Sequence, residues 1–449
     1  MIKCGMSELV ITPPLGSPIP GAGNERISTG VKDDLFVKAL VLESDRIMVA
    51  FLVLDAIDIA RPDAEAIRRK VQEQTGISYE HIIVSATHAH TSGPTIETSY
   101  VKAVDAAYVQ WMIQKAADAA AIAYASRREA RIGFGLGVER DIAFNRRFRM
   151  RDGSVRTNPG IGHPDIVGPE GPTDPDVPVI RIDDPEGRPI GIVTNYACHA
   201  DVVGGLEYSG DYPGELSAAI KRVYGDQTVS LFFQGASGNI NHIDVSGRIS
   251  FDRSVHYKKM GRILAGEAIR TREKAETHAS LDIRVERVFV PIRYRKPSEE
   301  ELAVAGQVLR AEERYPRNEV NFARQAMELA AREEEETEAE IHAVGFGPDT
   351  ALVCLPAELF VEFGLAIKQS SPFRLTIVNE LSNGSVSGYV CTPEAYGSGG
   401  YENRLRKYSR LQPEAGERFV RRALELLEKV KLGYADASAN ANASDKEHE

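Results

Sequence analysis

Residues 47–54 have the sequence IMVAFLVL, a continuous apolar run that ends at Asp55. Such a run, without alternating polar residues, is typical of a strand that is buried on both faces. Going outward along the chain, a helical pattern follows at 62–74, a short apolar stretch at 82–85 and another helical pattern at 106–125. A buried strand followed by a helix and a second strand indicates an α/β architecture.

The same alternation returns in the rest of the chain, which predicts mixed central β-sheets flanked by helices. The residues 1–432 form one large domain in this prediction. The tail at 433–449 is rich in Ala, Ser, Asn and Asp, a composition typical of disorder. The further predicted strands lie at 190–196, 229–233, 283–290 and 351–355, and the further helices at 214–223, 256–274, 298–313 and 318–338.

Composition and charge exclude several classes of protein. The 449 residues carry a formal charge of −11, from 54 Lys and Arg against 65 Asp and Glu, which argues against a nucleic-acid partner. No apolar run reaches the roughly 18 residues of a transmembrane helix. The N-terminus lacks the pattern of a secretory signal, and no CxxC pair indicates a thiolate zinc site or a disulfide framework. We therefore expect a cytoplasmic protein. The four cysteines are Cys4, Cys198, Cys354 and Cys391.

Two histidines, His88 and His90, follow the predicted strand at 82–85. On an extended strand, residues two apart point to the same face, so both imidazoles are predicted to enter one cleft. Imidazole nitrogens are common zinc ligands. The pair alone is also compatible with two polar histidines in a turn.

His199 and Glu358 also come just after apolar strands. Ligands of open α/β sheets gather at the carboxyl ends of strands, which favours a metal role for both. Each has an alternative explanation, namely a hydrogen-bonded core histidine and an acid at a helix N-terminus. The loop at 234–242 contains Gly235 and Gly238, and either exposes backbone N–H groups to an anion or makes a tight strand–helix connection.

Six groups of motifs occur in one order along the chain: THAHTSGP, FNRRF, NYACHADVVGG with SGDYPGE, FFQGASGNIN, LPAEL and GYVCTPEAYGSGGYE. Together they resemble the neutral/alkaline non-lysosomal ceramidase family over most of the chain, from Ile11 to Glu402. The resemblance implies a zinc-dependent hydrolase acting on the C–N bond of an acyl-amide substrate, or on an ester, in a single large catalytic domain. The metal ligands that it implies are His88, His199, Glu358 and Tyr389.

The resemblance also implies four residues around the metal. His90 matches a histidine beside the activated water, and its ordinary pKa near 6.5 suits a general acid and base. Arg146 and Tyr401 match groups that stabilise the oxyanion or contact the substrate carbonyl. Asn241 stands where the family has a serine proposed as catalytic, so we expect water to be the nucleophile and Asn241 to orient substrate or water.

Two other functions are compatible with the same motifs. We expect the chain to lack the leader and the C-terminal β-sandwich of the secreted family members, and its His199 motif reads HADV where the family has HGTS. One alternative is thus a true ceramidase without its accessory domain, and the other is a catalytically inactive module that binds a metal or ligand. We expect a small-molecule or lipid-like acyl-amide as partner, and a homo-oligomer is compatible with the sequence.

Overall fold

The computed structural model describes residues 1–98, 101, 104–248 and 252–446. Three larger β-sheets organise this part of the chain, and each packs helices against one face. The predicted architecture of mixed sheets flanked by helices is therefore confirmed. No helix in the described ranges is both long and apolar enough to cross a membrane.

The first sheet is formed by β1 (Lys3–Val10), β2 (Phe36–Glu43), β3 (Met48–Leu54), β4 (Ile82–Ala86) and β5 (Arg128–Glu129). Its strand order is β4-β3-β2-β1-β5. β3 and β4 are parallel, whereas the other neighbours are antiparallel. The apolar run at 47–54 therefore lies inside the sheet, which explains its lack of alternation.

The second sheet is formed by β6 (Arg131–Val138), β7 (Asp176–Asp183), β8 (Pro189–Tyr196), β9 (Val229–Gln234) and β10 (Thr277–His278). Its order is β9-β8-β7-β6-β10, and β8 and β9 form its parallel pair. The third sheet is formed by β11 (Ile283–Arg293), β12 (Glu336–Phe346), β13 (Thr350–Cys354) and β14 (Leu375–Asn379). Its order is β14-β13-β12-β11, with β13 and β14 parallel.

The helices have the bounds α1 (Arg61–Thr75), α2 (Ala106–Ala125), α3 (Asp211–Tyr224), α4 (Arg253–Lys274), α5 (Glu299–Arg310), α6 (Arg317–Ala330), α7 (Val361–Ser370), α8 (Pro393–Ser398) and α9 (Ala415–Lys446). Short strands outside the three sheets are Gly30–Val31, Phe144–Asn145, Arg147–Met150, Val155–Thr157, Ile166–Pro169, Glu207–Tyr208, Ile240–Asn241, Glu358–Leu359 and Tyr389–Val390.

One series of elements is used three times. In each sheet, three strands form an antiparallel meander, a helix follows, and a fourth strand then lies parallel to the third. The connecting helices are α1, α3 and α7. A longer helix follows each unit, namely α2, α4 and α9, and it packs with the connecting helix on the outer face of its sheet. The carboxyl ends of each parallel pair are therefore equivalent positions in the three units.

The inner faces of the three sheets share one apolar core. Phe51 of β3 lies at its centre, with its ring 5.8 Å from Phe233 of β9 and 6.2 Å from Phe346 of β12. Each of these rings comes from a different sheet. Because close-packed interiors resist displacement, this core fixes the sheets, and thus their strand ends, relative to one another.

Three segments differ from the prediction. The helix expected at 318–338 ends at Ala330, and the charged stretch that follows enters β12, where it pairs with β11. The glycine- and tyrosine-rich region near 388–401 contains the strand Tyr389–Val390 and α8. α9 continues to Lys446, through most of the tail for which we expected disorder. The domain bounds themselves stay a prediction.

The helices α5 and α6 form a hairpin inserted between β11 and β12. They pack on each other through a small apolar cluster of their own, made of Ala305, Val308, Val320 and Ala323. A polar hairpin with so small a core depends on contacts to the rest of the protein for its position. One such contact is the ion pair of Arg404 with Glu319, at 2.7 Å.

Candidate metal centre

The ends of three strands, one from each sheet, meet at one point. β4 is followed by His88, β8 by His199 and β13 by Glu358. Nε2 of His88 and Nε2 of His199 each lie 3.3 Å from Oε2 of Glu358. All three side chains are buried. Each repeated unit therefore contributes one metal-ligand type of side chain from the carboxyl end of its parallel pair, after the fourth strand in the first unit and after the third strand in the other two.

His88 has a left-handed backbone, with a φ of 63°. This conformation is strained for any residue other than glycine, and residues strained in this way cluster at functional sites. The strand has already ended at Ala86, so strand alternation does not bring His88 and His90 together as we expected. The turn does so instead, placing the two ring centroids 4.7 Å apart and the two Nε2 atoms 3.2 Å apart.

A backbone carbonyl fixes the outer nitrogen of each histidine in this group. A carbonyl oxygen can only accept a hydrogen bond, so Nδ1 carries a proton and Nε2 faces the centre of the site. This is the arrangement that orients histidines as metal ligands. The Nδ1 atoms of His88, His90 and His199 lie 2.7, 2.7 and 2.8 Å from the carbonyl oxygens of Ile57, Gly21 and Ser237.

The donor atoms at the centre fit a divalent transition metal. His88, His90 and His199 present nitrogens that all lie within 4.8 Å of one another. The Tyr389 hydroxyl is 3.4 Å from Nε2 of His199. Neither oxygen of the buried Glu358 carboxylate has a hydrogen-bond partner among the described residues. Ligands of a tetrahedral zinc are about 3.3–3.4 Å apart, given bond lengths of about 2.0–2.1 Å, and the separations observed here match.

Electrostatics at the centre also favour a bound cation. Burial lowers the pKa of His88, but the adjacent Glu358 carboxylate outweighs burial and raises it to about 9. Burial, with His88 as the next cause, lowers the pKa of His90 to about 3. The two histidines hold the pKa of Glu358 well below its ordinary range, although burial opposes them. Without a metal, a proton on His88 therefore balances the carboxylate, and His90 is neutral at physiological pH.

Glu380 accepts hydrogen bonds from residues close to the metal ligands, and the sequence analysis did not identify it. It follows β14 directly, so the rule that found His199 and Glu358 could have found it too. Its oxygens accept hydrogen bonds from the Ser237 hydroxyl and the Leu359 N–H, both at 2.8 Å. Burial raises the pKa of Glu380 to about 8. These contacts fix the loops that present His199 and Glu358.

Arg146 and Tyr401 both lie against Tyr389. The Arg146 guanidinium is 5.2 Å from the Tyr389 ring, and it donates to Glu402 at 2.8 Å and to the Gly238 carbonyl at 2.7 Å. The rings of Tyr401 and Tyr389 are 5.9 Å apart. Tyr401 is 44% exposed and so stands at the rim, whereas Arg146 is buried.

Comparison with known proteins gives a clear result for the fold. By sequence, the chain matches neither a protein-family model nor a curated protein. Among solved structures, it matches the neutral ceramidase from Pseudomonas aeruginosa with a TM-score of 0.75 at 17% identity, covering 96% of this chain and 74% of that one. It also matches a ceramidase complexed with C2, with a TM-score of 0.74 at 16% identity, covering 95% and 74%. The chain has the neutral ceramidase fold. The resemblance inferred from the motifs is confirmed at this level.

Within this neutral ceramidase fold, Asn241 lies on a short strand and makes side-chain hydrogen bonds of its own. It belongs to the short strand Ile240–Asn241, which pairs with Phe144–Asn145. Its amide donates to Asn158 at 3.1 Å and accepts from the N–H of Ile243 at 3.1 Å. Asn241 does not belong to the wall of the cavity above the ligands. These contacts give it a structural role in the segment beneath His199, whose N–H bonds to Ile240.

A cavity of about 310 Å³ opens above the metal ligands. His88, His90 and Glu358 lie at its floor. Several wall residues come from parts of the chain where the sequence analysis found no functional signal, since they lie in the α5–α6 hairpin and in the segment after Tyr401. The wall residues from these two regions are Asn318, Asn321, Phe322, Arg406 and Tyr408.

Proposed function

We propose that this protein is a zinc-dependent hydrolase that cleaves the amide bond of an acyl-amide substrate. The observation that supports it is the convergence of His88, His199 and Glu358, of which His88 and Glu358 lie at the floor of the cavity. A site that is buried, rich in imidazole and open on one side is typical of a catalytic rather than a structural zinc. The fold shared with ceramidases supports the same class of reaction.

In this proposal the metal is held by His88, His199, Glu358 and Tyr389. Two imidazoles and a carboxylate are a common set of zinc ligands, and a phenol oxygen supplies the fourth. Zinc bound there would polarise the scissile carbonyl and lower the pKa of a water molecule. Related divalent metals are accepted by such sites, so zinc is proposed from the ligand types and not from selectivity.

His90 acts as the proton carrier. Its Nδ1 donates to Gly21, so Nε2 is the atom that faces the reaction. Because burial keeps His90 neutral before reaction, it begins as the base and takes a proton from the attacking water. It then gives that proton to the departing amine nitrogen as the C–N bond breaks. The products are a carboxylic acid and an amine. The pKa of His90, lowered to about 3 by burial, differs from the ordinary value near 6.5 that we expected.

Tyr401 and Arg146 complete the site in different ways. The Tyr401 hydroxyl at the rim is placed to donate a hydrogen bond to the substrate carbonyl. Arg146 lies behind Tyr389 and is bound by Glu402, so it is a positioning residue that fixes the Tyr389 ring. Asn241 has no part in the reaction in this proposal.

The size of the cavity favours a small acyl-amide. A volume of about 310 Å³ lies at the lower end of the roughly 300–1,000 Å³ range of small-molecule sites. A cavity of this size favours a substrate with a single acyl chain over a ceramide, which has two long hydrocarbon chains.

The test is a hydrolysis screen over N-acyl amino acids, N-acyl sphingoid bases and simple esters. Each substrate is incubated with metal-stripped protein, with zinc-reloaded protein and with reloaded protein plus chelator. We expect turnover of a small acyl-amide only in the reloaded protein. Preferred turnover of ceramide would make the protein a true ceramidase. Zinc binding without turnover of any substrate would indicate the inactive binding module.

A further inference from the structure

Arg406 is a buried cation in the wall of the cavity. Its side chain is 6% exposed, yet no carboxylate oxygen among the described residues lies within 4.0 Å of its guanidinium. Nε donates to no atom in this part of the structure, and one Nη nitrogen donates weakly to the Tyr401 carbonyl at 3.4 Å. Burying a charge without a counterion destabilises a protein, so an anionic group of a ligand would bind favourably beside Arg406.

The acidic groups nearest to Arg406 already have partners. Glu402 accepts from Arg146 and from Arg147, each at 2.8 Å. Glu358 faces the histidines of the metal centre. These pairs leave Arg406 without a carboxylate partner among the described residues.

Two neighbours of Arg406 in sequence, unlike Arg406 itself, form ion pairs with carboxylates. Arg404 pairs with Glu319 and Lys407 pairs with Glu328, so both attach this segment to α6. Arg406 instead lies on the cavity side, with its guanidinium carbon 3.9 Å from the Tyr401 ring. Contacts to the hairpin thus hold the segment, and Arg406 is free to bind a ligand.

Arg406 is also rigidly placed near the reacting bond. Its N–H and carbonyl both bond to Ser409, whose hydroxyl accepts from the N–H of Tyr389. The guanidinium carbon is 5.3 Å from the Tyr389 ring. Since the Tyr389 hydroxyl reaches the metal centre, only one aromatic ring separates Arg406 from it. An anionic group bound to Arg406 would therefore lie close to an amide bond held at the metal centre.

We propose that Arg406 binds a carboxylate next to the scissile amide, so that the preferred substrates are N-acyl amino acids rather than neutral lipid amides. The planar guanidinium offers two parallel N–H groups to a carboxylate, a geometry that a neutral amide cannot satisfy. The apolar side chains Ile57, Ile96 and Phe322 in the cavity receive the acyl chain. This inference rests on the proposed amide hydrolysis and specifies its substrate.

The experiment compares N-decanoylglycine with N-decanoylglycinamide, which differ only in the carboxylate. The measured quantity is the ratio of kcat/KM for the two substrates in the wild-type protein and in Arg406→Met, Arg406→Lys and Arg422→Met. We expect the ratio to fall by roughly 100-fold in Arg406→Met, mainly through KM of N-decanoylglycine, as charged hydrogen bonds are lost. Arg406→Lys should keep part of the preference, and Arg422→Met, on α9 and outside the cavity wall, should keep the wild-type ratio.

Three results would overturn the inference or separate it from the proposed function. A wild-type preference for the glycinamide, or an equal loss on both substrates in Arg406→Met, would show that Arg406 only packs against the tyrosines. If neither substrate is hydrolysed, the proposed function fails, and calorimetric binding of N-decanoylglycine still tests Arg406. Equal binding by wild type and folded Arg406→Lys and Arg406→Met would then contradict the carboxylate site.

Discussion

At the scale of single residues, the metal centre depends on one carboxylate that lacks other partners. Glu358 is buried, and no hydrogen bond from the described residues satisfies its oxygens. Its charge is balanced by histidines, and one of these must give up a proton when a metal enters. A bound metal would therefore stabilise the buried carboxylate, whereas without a metal the burial of its charge destabilises the protein.

The first prediction concerns this carboxylate. Glu358→Gln keeps the size of the side chain but removes its charge, so we expect the affinity for zinc to fall by more than about 100-fold, since even outer partners of a metal are worth about 10–100-fold. The matched control is Glu362→Gln, one turn away in α7, where the carboxylate accepts from Asn239. Zinc titration of both variants measures the effect. Equal affinity in Glu358→Gln and Glu362→Gln would remove Glu358 from the ligand set.

The second prediction separates His90 from the ligands. If His90 carries protons and does not hold the metal, His90→Ala should bind zinc normally and lose turnover by a factor of about 10²–10⁴. Gly21→Ala should have a related, smaller effect, because an added Cβ would lie 2.8 Å from the His90 ring. Elemental analysis and kcat together test this. Loss of zinc from His90→Ala would show that His90 is a ligand.

At the scale of elements, strand ends explain which site residues the sequence could predict. His88, His199 and Glu358 each follow a strongly apolar strand, a pattern that is visible locally. Arg406 and Phe322 have no such signal, because the loop and the hairpin that bring them to the cavity are distant in sequence. β12 was missed for another reason. Its first half is rich in glutamate and favours a helix, but pairing with β11 overrides this preference.

The third prediction concerns the short strand that contains Asn241. Its side chain makes two buried hydrogen bonds, so Asn241→Ala should lower the free energy of unfolding by about 1–3 kcal/mol. Zinc content and kcat should change little. Asn241→Ser, which restores the residue of the ceramidase family, should give no gain in ceramide turnover. A loss of kcat greater than about 100-fold at unchanged stability would instead place Asn241 in the reaction.

The fourth prediction concerns the hairpin. Phe322 of α6 forms part of the cavity wall, so Phe322→Ala should enlarge the acyl pocket and shift the preference toward longer or bulkier chains, by about 10-fold or more in relative kcat/KM. The control is Phe289→Ala, since Phe289 lies on β11 and is 40% exposed. A series of N-acyl chain lengths measures the shift. The same chain-length profile in both variants would show that the hairpin does not shape the pocket.

At the scale of the whole molecule, the three repeated units explain why the ligands could be predicted but their meeting could not. Each unit contributes one ligand from the carboxyl end of its parallel pair of strands, yet the sequence shows no internal repeat from which the three units could be inferred. The units are brought together by the shared core around Phe51, Phe233 and Phe346. Core side chains of this kind are interchangeable in sequence, so their mutual contacts leave no local pattern.

The last prediction follows from this division of ligands among the three sheets. A bound metal joins all three units, so it should stabilise the whole protein and not one loop. Metal binding must also displace the proton on His88, whose pKa in the metal-free protein is raised to about 9. Zinc affinity should therefore increase by up to about tenfold per pH unit between about pH 7 and 9. In the metal-free protein, the protonated His88 stabilises the fold fully below its unfolded pKa of about 6.5, and this contribution is lost as the pH rises through about 9.

This one linked proton determines how the difference in Tm between the zinc-loaded and the chelated protein depends on pH. That difference should widen from pH 6.5 to 9, because the chelated protein loses the stabilising proton, whereas His88 carries no such proton in the loaded protein. Calorimetry at fixed free zinc, in buffers covering this range, measures it. His278→Gln removes an exposed histidine of β10 and should show the same widening as the wild type. His88→Gln should abolish the widening, since it removes the ligand and the titrating group together. A pH-independent difference in the wild-type protein would mean that metal entry does not compete with a proton at His88.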